Sequence, residues 1–324
     1  MIARAAAAVA AIAVIGGPAA ADDLRREAKS VRELAPVEPA RAGVYEDDRV
    51  DIAPAKKPIA AVAIDNPYGD LRIEGHDGPG LVILSSKRAP NDETLDRLRV
   101  SLIPDPDGSV RIVTAIDPEG PPVARADVHI DLVIRAPHGA RVDGRVRDGR
   151  LELVNMDAGA ELDTARGTIR VENVSGPVFA RSLAGDQRFA EVFGTVDAQA
   201  VAADLTLDTV RGDRLIASTH DGRIDGRRLR SRRVELRTTR GDITYDGEVQ
   251  AGSAITVASV RGSVDVRLRA PGAIRVRTFA PTVAVRGGHA LGGGVFAFGG
   301  GPRPAEVQLR SRFGTVSFAV SDAP

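Results

Sequence analysis

From Ile59 onward the chain alternates apolar and polar residues with a period of two. The segments PIAAVAIDN, GDLRIEG and LVILSSK set the pattern, separated by Gly, Pro and Asp clusters. Successive side chains of an extended chain point to opposite faces, so each segment predicts a half-buried strand. The same signal returns at RVSLI, VRIVTA and VHIDLVIRAP. One stretch breaks the period: NDETLDRLR at 91–99 reads as a helix, with Asn91 or Asp92 as its capping side chain. Upstream the pattern is different. Leu24, Ala28, Val31 and Leu34 fall at helical spacing within 22–35, which predicts a short helix. Residues 36–58 are rich in proline and charge and read as a linker.

After about residue 140 a single phrase recurs: ELDTARGTIRV (161–171), TLDTVRGDRLI (206–216), ELRTTRGDITY (235–245), TVASVRGSVDV (256–266), RVRTFAPTVAV (275–285) and QLRSRFGTVSF (308–318). Copies are mostly spaced by 18 to 21 residues, with half-steps of nine or ten. The glycines 167, 212, 241, 262 and 314 are read as tight corners, where positive φ carries no steric cost. The hydroxyl three residues earlier (Thr164, Thr209, Thr238, Ser259, Thr278 and Ser311) is placed to hydrogen-bond backbone N–H groups of that corner. Pro281 stands where one copy would have glycine, so that corner uses another turn.

One such unit cannot stand alone. It offers some four inward Val, Ile or Leu side chains, each worth roughly 1.5–3 kcal/mol when buried. Ordering its residues costs about 1–2 kcal/mol apiece in backbone entropy. Units that stack share one core and hydrogen-bond strand to strand, so the repeat predicts an all-β fold, a β-solenoid of 18–21-residue coils over 141–320. The strand-rich segment 59–140 serves as its N-terminal cap. At the far end GGHALGGGVFAFGGG (287–301) interrupts the repeat. It reads as a cap that lays Phe296 and Phe298 over apolar surface, with a mobile binding loop as the alternative.

Composition narrows the setting. Residues 1–21 combine Arg4, an apolar run from Ala5 to Ile15, and Ala19-Ala20-Ala21 at a cleavage position, the pattern of a secretory signal peptide with Asp22 as the mature start. The run is too short to span a membrane, and no later stretch approaches that length. The chain is therefore expected to be exported, periplasmic or at the cell surface. With no cysteine, neither a disulfide framework nor a lipidated-cysteine anchor is available. Forty-four basic residues balance forty-four acidic ones, so no net field draws the protein to nucleic acid or membrane.

IDNPYGDLRIEGHDGPGLVILSSKR, VHIDLVIRAPHGARVDGRVRDGRLELVNM and the phrases ARGTIRV, VRGDRLI and TRGDITY occur in an order that resembles the bacterial putative-adhesin family of exported domains with glycine-punctuated β-strand repeats. The resemblance covers roughly 59–320 and implies a β-helix-like fold outside the cytoplasm, with no established activity. The insertion at 287–301 is longer than the family pattern needs.

Few residues suggest chemistry. The histidines at 76, 129, 138, 220 and 289 lack any metal-binding spacing, and no phosphate loop or nucleophile elbow occurs, so no cofactor or metal is expected. Asp204 with Asp208, or Asp225 with Asp242 and Asp246, would serve a carbohydrate-active β-helix enzyme only if the register converged them on one groove. The densest charge is in 221–241, where Arg227, Arg228, Arg230, Arg232, Arg233 and Arg237 form either a solvated flank or a patch for an anionic ligand. Nucleic acid is disfavoured because no aromatics are interleaved. Two Arg-Gly-Asp tripeptides, at 211–213 and 240–242, match the signal read by animal integrins, yet both fall on the repeat's own corner phrase. The leading reading is a non-enzymatic, adhesin-like structural or binding module for a protein or polysaccharide at the cell envelope.

Overall fold

Strand-forming alternation carries through most of the described chain, residues 43–52, 58–270 and 272–322 of a computed structural model. Among the described residues twenty-five strands are interrupted by one helical turn, α1 (Asp92–Leu95), and one 3-10 turn (Arg125–Asp127). The α1 turn starts at Asn91, whose Oδ1 accepts from Thr94 N at 2.8 Å. No helix among the described residues is long and apolar enough to cross a membrane.

The first strands are β1 (Val44–Ile52), β2 (Ala61–Asn66), β3 (Leu71–His76), β4 (Leu81–Ala89), β5 (Leu98–Pro104), β6 (Ser109–Ile116) and β7 (His129–Pro137). The chain then alternates between two parallel ladders. β8 (Arg141–Asp148), β10 (Ala160–Arg166), β12 (Val178–Ala184) and β14 (Val196–Ala202) build the first ladder. β9 (Leu151–Met156), β11 (Ile169–Ser175) and β13 (Gln187–Phe193) build the second. β15 (Leu205–Asp221) and β16 (Ile224–Arg240) serve both, their first halves in the second ladder and their second halves in the first. β17 (Ile243–Glu248) and β19 (Val264–Ala270) continue the second ladder, and β18 (Ala254–Arg261) the first. Inward positions such as Leu236 and Val264 are fully buried, and one apolar cluster runs through the whole stack. It is built mostly of Val, Ile, Leu and Ala, with Tyr245 and Phe189 the largest fully buried side chains.

Both ends are filled out of chain order. β2 lies between β6 and β8, and β3 between β7 and β9. At the other end come β20 (Ile274–Phe279), β21 (Thr282–Arg286), β22 (His289–Gly292), β23 (Val295–Phe298), β24 (Ala305–Ser311) and β25 (Thr315–Asp322). β24 lies between β18 and β20, and β25 between β19 and β21. Antiparallel strands then cover three of the four ladder ends: β5 on β6, β4 on β7 with β1 outside it, and the β22–β23 hairpin on β20. Such strands occupy the backbone groups that a bare ladder end would expose.

Two expectations change. Residues 44–52, read as linker, form edge strand β1 against β4. Its charged side chains hide the strand period, and Lys87 holds it through Glu46 at 3.1 Å and Asp48 at 2.8 Å. Residue 140 does not divide the core, because β2 and β3 join the same ladders as β8 and β9. The segment 287–301 contains β22 and β23, and Phe296 and Phe298 meet the Phe318 ring edge-on at 5.4 and 5.7 Å. The leader at 1–21 and the helix at 22–35 lie outside the described residues.

Candidate functional site

Each pass of the chain turns between the ladders at two places. The corner that leads from the first ladder to the second is a column of small residues: Gly149, Gly167, Gly185, Ala203, Gly222, Gly241, Gly262 and Gly314. These glycines are required by close approach. A Cβ on Gly241 would lie 2.0 Å from Gly222 O, and one on Gly262 would lie 1.9 Å from Gly241 O. Positive φ, the expected reason, holds for Gly241 but not for Gly167, Gly212, Gly262 or Gly314. Apart from Ser311, which also fills the expected role, the hydroxyls act differently from expectation. Thr238 donates to Gly222 O at 3.0 Å, Ser259 to Gly241 O at 2.9 Å and Ser311 to Gly262 O at 2.7 Å, so each satisfies a carbonyl of the neighbouring layer. Thr164 reaches Arg147 O at 3.5 Å, and Ser311 additionally accepts from Gly314 N at 2.8 Å.

Thr209 and Gly212 belong elsewhere. Gly212 stacks on Gly194 at the opposite corner, where a Cβ would lie 2.0 Å from Gly194 O. Thr209 lies within the second ladder at φ 57°, in a column of left-handed residues with Asn155, Asn173, Glu191 and Arg228. One non-glycine residue per pass bulges there, which side-chain alternation alone does not reveal. Asn173 donates to Asn155 Oδ1 at 2.8 Å and Arg228 Nε to Thr209 Oγ1 at 2.9 Å, tying the column together.

The two Arg-Gly-Asp tripeptides therefore occupy different corners. Arg240 pairs with Asp221, holding that carboxyl below the ordinary range, and Asp242 Oδ1 accepts from Ser263 N at 2.7 Å. Asp186 and Asp204 repeat the second role, accepting from Asp204 N at 3.1 Å and Arg223 N at 2.7 Å. The first tripeptide lies inside continuous β15, with Arg211 and Asp213 exposed.

Register also sorts the arginines. Arg227 pairs with Asp225 at 2.7 Å, Arg228 with Asp208, Arg230 with Glu248 at 3.7 Å and Arg237 with Glu235 at 3.0 Å. Arg232 and Arg233 have no ion pair among the described residues, nor do Arg211 and Arg214 of the neighbouring strand. Arg211 stands opposite Arg230, and Arg214 opposite Arg233. Phe193, 43% exposed, occupies the next position of the Arg211 column. The carboxylates considered for catalysis are spread over layers and engaged: Asp208 with Arg228, Asp225 with Arg227, Asp246 with Arg269 at 2.7 Å, and Asp204 and Asp242 with backbone.

One cluster could present three ligand atoms to a cation. Those of Asp70, His129 and Asp131 lie within 4.8 Å of one another. Asp131 Oδ1 already accepts from Asp70 N at 2.8 Å and Asp70 Oδ1 from Arg150 N at 2.7 Å, so the cluster ties three layers together. The hydrogen bond to Asp131 raises the His129 pKa, and burial raises that of Asp70.

No family model and no curated protein matches the chain. Among solved structures it is similar to a putative adhesin from Bacteroides fragilis, at 12% identity and TM-score 0.43, over 87% of this chain and 100% of that one. It is also similar to a putative lipid binding protein from Parabacteroides distasonis, at 10% identity and TM-score 0.40, over 84% and 96%. A putative adhesin from Parabacteroides merdae gives 14% identity and TM-score 0.39, over 85% and 95%. Likenesses of this order assign no activity. The chain's class is all-β, a long sheet with two parallel ladders.

Proposed function

We propose that this chain is an exported, non-enzymatic β-solenoid that binds a protein or polysaccharide at the cell envelope through its outward strand faces. The observation behind this reading is the in-register pairing of successive passes over one apolar core. Parallel pairing repeats each outward position at about 4.8 Å, so the surface consists of long columns suited to an extended partner. Export rests on the leader pattern of residues 1–21. The glycine and hydroxyl positions serve the stacking of the coils, and the arginines belong to the surface they carry.

Fractionation of cells producing the full chain, with protease added to intact and osmotically shocked cells, tests the location. Co-sedimentation of the purified chain with isolated envelopes tests binding. The expected result is an extracytoplasmic protein retained by envelopes. A chain that stays in the cytosol and is not retained ends this reading.

A further inference from the structure

Many outward arginines of the stack meet an acid of their own or a neighbouring strand. Arg166 pairs with Asp148, Arg181 with Glu161, Arg240 with Asp221 and Arg275 with Glu306. Four arginines without an ion pair among the described residues sit together at the corner where β15 and β16 run continuously from the second ladder to the first. Here Arg211-Gly212-Asp213-Arg214 lies beside Arg230-Ser231-Arg232-Arg233 in parallel register. Five guanidinium groups face two carboxylates, Asp213 and Glu248, and only Arg230 reaches one, at 3.7 Å. Like charges set side by side on adjacent strands repel. The fold therefore presents concentrated, uncompensated positive charge on rigid strands, the form of preorganisation that lowers the cost of binding an anion. Phe193 adds an exposed ring at the end of the Arg211 column.

Resting on the binding-module reading, we propose that this arginine corner is the contact site for an acidic polysaccharide. Carboxylate or sulfate groups along the glycan would seat against Arg211, Arg214, Arg232 and Arg233, whose planar forks match such groups bidentately. A sugar ring would lie across Phe193 beside them. A glycan fits better than a nucleic acid, which calls for a series of stacking rings where this corner has one.

Titration of the purified chain with polygalacturonate and dextran sulfate tests the proposal. Neutral dextran, anionic phosphatidylglycerol vesicles and an oligothymidylate run beside them. The variant Arg211→Ala/Arg214→Ala/Arg232→Ala/Arg233→Ala is expected to lose acidic-glycan affinity by about a hundredfold, and Phe193→Ala by about fivefold. A control with the same charge loss, Arg166→Ala/Arg181→Ala/Arg240→Ala/Arg275→Ala, is expected to stay within about threefold of the parent at matched salt. Circular dichroism melts establish that each variant folds; if the quadruple variant does not, the four single substitutions, each expected to cost about threefold, replace it. Equal losses in the control would overturn the proposal, as would tighter binding to vesicles or oligonucleotide, or no binding to either acidic glycan. Parent and quadruple variant retained equally by envelopes would overturn this site while leaving the binding-module reading intact.

Discussion

The two corners of each pass obey different rules. The glycine corner repeats the same solution in nearly every layer, because the backbone of one layer rests on the carbonyl of the next and admits no Cβ. The arginine corner changes from layer to layer: Gly176 and Gly194 turn the chain, Gly212 and Ser231 lie within continuous strands, and residues 249–253 form a loop. Backbone packing dictates residue identity in nearly every layer of the first, and at the second only where Gly194 and Gly212 stack on the layer before. Solvent faces much of the second, which leaves its side chains open to a ligand-binding role.

The largest effect should come from breaking what both corners share. Leu236→Asp would bury an unpaired charge in the common core and cost more than about 4 kcal/mol, enough to prevent folding. Retention of cooperative unfolding by that variant would refute the inward assignment. Gly241→Ala comes next, at about 3 kcal/mol in chemical denaturation, because the obstructing atom is backbone. Asp213→Ala at the opposite corner should fall within about 0.5 kcal/mol of the parent. Comparable losses for the two alanine variants would erase the distinction. Ser259→Ala strips Gly241 O of its hydroxyl donor and should cost about 1 kcal/mol by the same measurement. A smaller gain is expected from Glu191→Asn, about 0.5 kcal/mol, since asparagine tolerates the left-handed backbone and can extend the Asn155–Asn173 pair.

Titration probes the cluster near the stack's N-terminal end. The folded state binds the His129 proton more tightly than the unfolded chain, whose imidazole titrates near 6.5. That contribution is fully present below 6.5 and is lost as pH rises through the higher folded value. Asp70 also keeps its proton longer when folded, so its share declines as pH rises from 3.8 through its raised value. Melting temperature should fall with pH in both windows, and His129→Gln should remove the upper step alone.

Much of the fold was legible in residue order. The period of two marked most strands, and of the two residues read as the cap, Asn91 and Asp92, it is Asn91 that caps. Strand β1 was hidden because pairing by backbone and surface ions needs no apolar alternation. The arginine cluster was legible only in part: four of the six arginines named from 221–241 meet acids, while Arg211 and Arg214 come from the neighbouring strand. The phrase TVRGDRL looked like TTRGDIT, yet the two lie one and a half passes apart and so at opposite corners, because corner sequences resemble one another wherever small residues and polar flanks recur.

By itself the sequence determined that the chain forms strands, which side chains face inward, and that the core is aliphatic. These follow from local sterics and hydrophobic alternation, which act over a few residues. Only the tertiary structure decided which copies stack, which corner each glycine occupies, and that both ends fill out of order. Those outcomes depend on backbone approach between distant residues, such as Gly314 on Gly262 and Arg150 on Asp70. They also decided which arginines were left without acids.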